Sequence, residues 1–305
     1  MRANERRRFI VLFLTPAFLL FTVFVAVPGV RALFYSLQRW NGLSDPIWVG
    51  LDNFRRVFND DTGLFWSALW HNVLLTIVGG SLTLALALFF ASVLHRRVRG
   101  AALFRATFFF PNVLSSVAIS ILWILVYSTT SFGVLNGALG WVHAHLVSWN
   151  ITWFPVELPV PFISSRIVIY SIIPMTVWAA AGFYMVLFLA AMENIPESLY
   201  EAARLDGASE ATQFWQITLP LMREVLVVGA VFLVIGYLKF FDAIWIMENQ
   251  WPAKESHVLA TVLYQKVFSE YNIGYGSAVA VLLFILVFFA TLVTLRFSRK
   301  EALEY

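Results

Sequence analysis

Cysteine is absent from the 305 residues. Disulfides, Cys-ligated zinc and thiol nucleophiles are thereby excluded, while the redox compartment stays open. Charge is nearly as scarce: Asp, Glu, Lys and Arg make up 13% of the chain, where a soluble domain carries about a quarter. No glycine is followed by lysine. A G-x-x-x-x-G-K-[ST] phosphate cradle is therefore missing, and ATP hydrolysis by such a loop is excluded. H-E-x-x-H and G-x-S-x-G are missing too, which removes the common metalloprotease and serine-hydrolase arrangements. His143 and His145 lie two apart without a nearby acid and do not read as a metal site. The net charge of +3 is too small to point to nucleic acid.

Apolar residues fill the space that charge leaves, at 60% of the chain. A bilayer core of about 30 Å needs roughly 20 mainly apolar residues per helix. Six stretches meet that length: 9–35, 72–94, 107–127, 166–190, 225–246 and 277–295. Each is apolar all round, which separates a membrane span from an amphipathic surface helix. The expectation is an all-α polytopic membrane protein with six transmembrane helices in the lipid bilayer, one domain over 1–305. Pro16, Pro28, Pro111 and Pro174 should kink or bound their helices. Arg6 to Arg8 ahead of Phe9 resemble the start of a signal peptide. The apolar run continues to Tyr35, however, too long for a signal core, and no A-x-A-like site follows. An uncleaved first span is expected.

Lys and Arg orient the spans. The segments 1–8, 95–106, 191–223 and 296–305 carry thirteen of them, against five in 36–71, 128–165 and 247–276. That asymmetry places both termini in the cytoplasm, together with the loop 193–223. Trp40, Trp48, Trp66, Trp70, Trp141, Trp149, Trp153 and Trp251 fall on the opposite side, where indoles anchor at headgroup depth.

The most polar stretch is Glu201–Pro220, EAARLDGASEATQFWQITLP. Leu199, Ala202, Ala203 and Leu205 recur at helical spacing. Gly207 then interrupts the run, where a backbone without Cβ turns at little cost. Ser209 and Glu210 can open a second short helix with Phe214, Trp215, Ile217 and Leu219 on its apolar face, stopped by Pro220. Two short helices around a glycine, with acids and aromatics outward, make a plug for another protein's groove.

Glu201, Ala202, Ala203, Gly207, Ile217, Leu219 and Pro220 follow the pattern E-A-A, three residues, Gly, nine residues, Ile, one residue, Leu-Pro. This resembles the coupling loop of ABC importer permeases, and the resemblance adds the intervening Asp206 to the coupling set. Three further stretches resemble the sugar-permease subgroup: Gly50–Phe58 (GLDNFRRVF), Arg99-Gly100 with Phe104-Arg105 and Pro111, and Phe132-Gly133-Val134-Leu135-Asn136. The chain is thus similar to permeases of the maltose and glycerol-phosphate type. One departure is that Met247–Pro252 keeps only the proline of the subgroup's T-x-G-G-P turn.

The resemblance implies a type I ABC importer permease fold in a bacterial or archaeal cell membrane. It also implies four kinds of partner: a second homologous permease, two cytoplasmic ATPase subunits, an external or periplasmic solute-binding protein, and a carbohydrate substrate. ATP and Mg would be held by the ATPase, with no cofactor on this chain. A secondary, ion-driven transporter is the nearest rival; it would carry inverted repeats and intramembrane ion sites, and neither is visible. An intramembrane enzyme would need several ionisable groups at one depth, and the spans hold essentially Lys239 and Asp242.

Sugar sites combine aromatic faces with hydrogen-bonding groups. Inside the spans, that combination falls on Tyr237, Lys239, Phe240 and Asp242, with Lys239 and Asp242 on one helical face. The resemblance to maltose-type permeases adds Trp178, Gly182 and Tyr184 from the helix ahead of the loop. Orientation is directly testable because the chain has no background thiol. A cysteine introduced at Ser209 should react with membrane-impermeant reagents from the cytoplasmic side only; labelling in intact cells would reverse the topology.

Overall fold

The computed structural model describes residues 3–96, 99–149 and 157–296, and they are overwhelmingly helical. Among the described residues, five helical stretches are long and apolar enough to cross a membrane: Arg7–Ser36, Leu64–His95, Val168–Glu193, Arg223–Met247 and Ile273–Arg296. A sixth crossing is available only as a broken pair, Ala101–Val113 and Ser116–Val126, bent by 101°. The expected single span at 107–127 is therefore two helices. Its break has a local cause: Leu114 and Ser115 are extended, and the Ser115 hydroxyl accepts from the Ala118 N–H at 3.2 Å. That cap starts a new helix.

Proline is accommodated differently elsewhere. Pro28 follows a π-helical turn at Thr22–Ala26, and Pro220 follows another at Phe214–Thr218. Such a widened turn re-routes the carbonyl that a proline cannot serve. Strand is limited, among the described residues, to a two-rung antiparallel ladder pairing Gln38 with Trp48 and Arg39 with Ile47.

The chain divides into two compact units. In the first, Met1–Phe65 with Val262–Ile285, the buried Asn53 amide donates to the carbonyls of Ser36 (2.9 Å) and Gln38 (2.8 Å). The Ile273 N–H donates to the Trp40 carbonyl at 3.0 Å. Asn53 is the asparagine of the GLDNFRRVF stretch, so that motif acts here as a clamp on the chain leaving the first helix.

In the second unit, Trp66–Thr261 with Leu286–Tyr305, Val168–Glu193 is the central helix. Met185, Phe188 and Leu189 on it are sealed from solvent. The segment expected as an external loop at 128–165 contains a helix, Val134–Ser148. Asn136 holds its start: the amide donates to the carbonyls of Ser128 (3.0 Å) and Val160 (3.1 Å), and its oxygen accepts from the Val160 N–H at 2.8 Å.

The helix that follows the polar loop is also interrupted. Arg223–Leu238 ends, Lys239–Phe241 leave helical geometry, and Asp242–Met247 begins afresh. Asn72, 0% exposed, answers the interruption. Its Nδ2 donates to the carbonyls of Tyr237 and Leu238, each at 3.1 Å, and its Oδ1 accepts from the Leu259 N–H at 2.9 Å. Beyond Met247 the chain turns through Asn249 (φ 52°) and Gln250 (φ 65°), both left-handed. Counting back from Pro252, Gln250 stands where the T-x-G-G-P pattern has its first glycine. A left-handed turn forms here without a glycine.

Asn72→Ala would leave the Leu259 N–H and the Leu238 carbonyl without their partner inside an apolar bundle, while the Tyr237 carbonyl would keep the Phe240 N–H at 3.3 Å. Unsatisfied buried groups cost about 1–3 kcal/mol each. The variant should melt several degrees lower in detergent, and a melting temperature equal to wild type would remove Asn72 from this role.

Candidate functional site

The polar loop folds as the glycine and the caps direct. Glu197–Leu205 is helical, and Gly207 is left-handed at φ 81°. The Gly207 N–H reaches the Arg204 carbonyl at 3.1 Å and the Ala208 N–H the Ala203 carbonyl at 2.9 Å. That paired closure is the Schellman end of a helix. Ser209 caps the next one, accepting from the Thr212 N–H at 3.2 Å. The two arms are then fastened by the buried Tyr200 hydroxyl against Thr218 Oγ1 at 2.9 Å. The expected stop at Pro220 does not occur: helix persists through Leu219–Leu221 after the π turn, and a turn at Met222 leads into Arg223–Leu238.

Of the expected coupling residues, Glu201, Ala202, Asp206, Gly207 and Pro220 are exposed or half-exposed; Ala203, Ile217 and Leu219 are set closer to the body of the hairpin. Two large apolar side chains stand clear of the hairpin, Leu205 at 90% and Trp215 at 65% exposure. Arg204 pairs with Glu197 at 2.9 Å, and Arg96, at the end of Leu64–His95, pairs with Glu210 at 2.6 Å. Both pairs are solvated and contribute at most about 1 kcal/mol each. Between Arg96 and the hairpin lies an open polar cleft of about 530 Å³.

A second cavity, about 250 Å³, lies between the broken span, the central helix and Arg223–Leu238. Of the residues expected on the solute path, Tyr184, Tyr237 and Phe240 line this cavity, joined by Ser116, Ser120 and Thr176. The Tyr237 hydroxyl donates to Thr176 Oγ1 at 3.2 Å and lies 3.3 Å from Thr83 Oγ1. The three hydroxyl residues were not among those expected from the sequence. Ser116 and Ser120 recur at one helical turn within an otherwise apolar stretch, which was the available signal.

Four expected path residues sit elsewhere. Trp178 is half-exposed and packs edge-on to Trp123, ring centres 6.0 Å apart. Gly182 serves a close crossing, since a Cβ there would sit 1.9 Å from the Phe108 carbonyl oxygen. Lys239 is exposed at the helix break. Asp242 accepts from the Ser116 hydroxyl at the rim of the cavity. The interruption at Lys239–Phe241 also cancels the expected shared face of Lys239 and Asp242, because three-residue spacing aligns side chains only within one continuous helix.

Gly207→Val tests the hairpin geometry. A Cβ at this position would meet nothing within 4 Å, so only backbone conformation opposes the substitution. A β-branched residue in the left-handed region costs about 1–2 kcal/mol. The variant should insert normally yet lose the Tyr200–Thr218 closure, read as faster proteolysis confined to 197–221; wild-type protection would show the turn to be dispensable.

Residues 83–301 match the family of binding-protein-dependent transport system inner membrane components. The chain is 31% identical to the probable ABC transporter permease protein YurN of Bacillus subtilis over 97% of this chain and 98% of YurN. It is 30% identical to the trehalose/maltose transport system permease protein MalF of Thermococcus litoralis, covering 94% of this chain and 92% of that one. Among solved structures, a chain of the bacterial alginate ABC transporter, crystallised with its alginate pentasaccharide-bound periplasmic protein, superposes with a TM-score of 0.77. It does so at 20% identity, over 98% of this chain and 96% of that one. The type I permease fold and the sequence of the hairpin thus converge, and the chain belongs to the family of binding-protein-dependent transport system inner membrane components.

Proposed function

We propose that the chain is the permease subunit of an ATP-driven carbohydrate importer. It works as one permease domain over 1–305, multi-pass in a bacterial or archaeal cell membrane with both termini cytoplasmic. A second, homologous permease completes the pathway, and an external binding protein delivers the sugar. Two ATPase subunits hold ATP and Mg; hydrolysis is theirs, and this subunit is not itself an enzyme. The observation that carries this reading is the rigid hairpin within 193–223, closed at Gly207 and presenting Glu201, Leu205, Asp206 and Trp215 outward. The sugar-transport names of relatives such as the T. litoralis MalF support the cargo class.

Mechanically, the hairpin passes through the turn at Met222 directly into Arg223–Leu238. That helix carries Tyr237 on the cavity wall. Movement imposed on the hairpin by closing ATPases therefore reaches the solute path through one rigid element. Glu201 is assigned a basic partner in the ATPase groove, and Leu205 and Trp215 its apolar contacts.

Co-expression with the ATPase and binding protein tests the assignment. Truncating one member of a buried interfacial charge pair costs about 2–5 kcal/mol. Glu201→Ala should accordingly weaken ATPase retention at least tenfold and lower sugar uptake, with membrane levels unchanged. Uptake that follows an imposed ion gradient and ignores ATP would refute the reading.

A further inference from the structure

The cavity's hydroxyl protons are largely committed. Ser116 Oγ donates to Asp242, Ser120 Oγ to the Ser116 carbonyl at 2.7 Å, and Tyr237 to Thr176 Oγ1 at 3.2 Å. Thr176 in turn donates to the carbonyls of Ile172 and Ile173 at 3.1 and 3.0 Å. A hydroxyl oxygen that donates its one proton still has a lone pair to offer. The wall therefore presents acceptors, interleaved with apolar surface from Phe232, Phe240 and Ala179.

The charge tied to this wall is negative. Among the described residues no lining side chain is ionisable to a cation; Lys239 and Asp242 are both exposed and outside the lining, and of the two it is Asp242 that bonds a lining side chain, Ser116. Asp242 stands at the rim, bonded to Ser116, the first residue of the helix Ser116–Val126. The partial positive charge at that helix start would otherwise favour an anion. Asp242 already fills the role. An acidic group entering the cavity would meet, apart from the Tyr184 hydroxyl, oxygens whose protons are already donated, with a like charge beside them.

We propose that this cavity takes uncharged polyhydroxyl solutes, and that Asp242 is the residue that turns acidic sugars away. The proposal rests on reading the chain as a carbohydrate permease. It extends that reading by naming a specificity-determining side chain and the class it rejects. A neutral sugar supplies many O–H donors to the acceptor wall and apolar C–H faces to Phe232 and Phe240.

The test uses the assembled permease–ATPase complex, so that selection by the binding protein is separated from selection by the cavity. Proteoliposomes with all subunits are first screened for ATP-dependent uptake of maltose, trehalose, diacetylchitobiose and digalacturonate. The solubilised complex without binding protein is then titrated with the transported neutral sugar and with digalacturonate, followed by tryptophan fluorescence. Wild type should bind the neutral sugar about 100-fold more tightly than the acid, the scale that one close like-charge contact produces at a partly solvated site. Asp242→Asn should narrow that ratio at least tenfold by gaining affinity for the acid. Asp242→Glu should preserve it, which separates charge from loss of the Ser116 contact. Equal wild-type binding of both ligands, or an unchanged ratio in Asp242→Asn, overturns the proposal. Uptake of none of the sugars, with ATP-dependent uptake of a non-carbohydrate solute, would instead overturn the carbohydrate reading beneath it.

Discussion

Everything around the cavity beside the central helix depends on how a chain this apolar satisfies the backbone groups that its own helix breaks set free. In lipid no water can serve an exposed N–H or carbonyl. The break after Leu238 leaves carbonyls at the very place where Tyr237 must face the cavity. Asn72 takes two of them and, with its oxygen, the Leu259 N–H as well. One buried amide thereby fixes the end of one helix and the start of another.

The same device recurs at Asn53 and Asn136. Each is a buried asparagine that gathers backbone groups from neighbouring segments. Both lie in stretches that the sequence marks by resemblance to sugar permeases. Their geometry shows clamps. Asparagine suits the task because one side chain offers two donors and an acceptor at short reach. The polar residues of this chain divide accordingly: asparagines brace the breaks, hydroxyls line the cavity, and most charges stay at the ends of helices.

How much of this was legible beforehand follows from the range of the signals. Apolar length marks spans without needing any partner, and the six expected stretches correspond to five helices and one bent pair. The hairpin was legible too, because Gly207 and Ser209 act on their immediate neighbours. What escaped was set by contacts distant in sequence. Trp178 and Gly182 were added by the resemblance to maltose-type permeases, yet Gly182 is reserved for the Phe108 backbone. Nothing in the local pattern distinguishes a glycine that admits a ligand from one that admits another helix. The broken face between Lys239 and Asp242 was hidden likewise, since Asn72 lies 165 residues or more from the carbonyls it holds.

The interruption after Leu238 also determines how far a mechanical signal can travel. Arg223–Leu238 is about 24 Å long at 1.5 Å per residue, and in the proposed coupling it would act as a lever driven at one end by the hairpin. Its far end is tethered by the Asn72 amide, which makes that point a fulcrum. In such a tilt Tyr237, held at the fulcrum, would stay nearly fixed while Phe232 moved along the cavity wall, and Asp242–Met247, on the other side of the non-helical joint, would not be obliged to follow. The moving stretch of wall and the charged rim would thereby be separate parts.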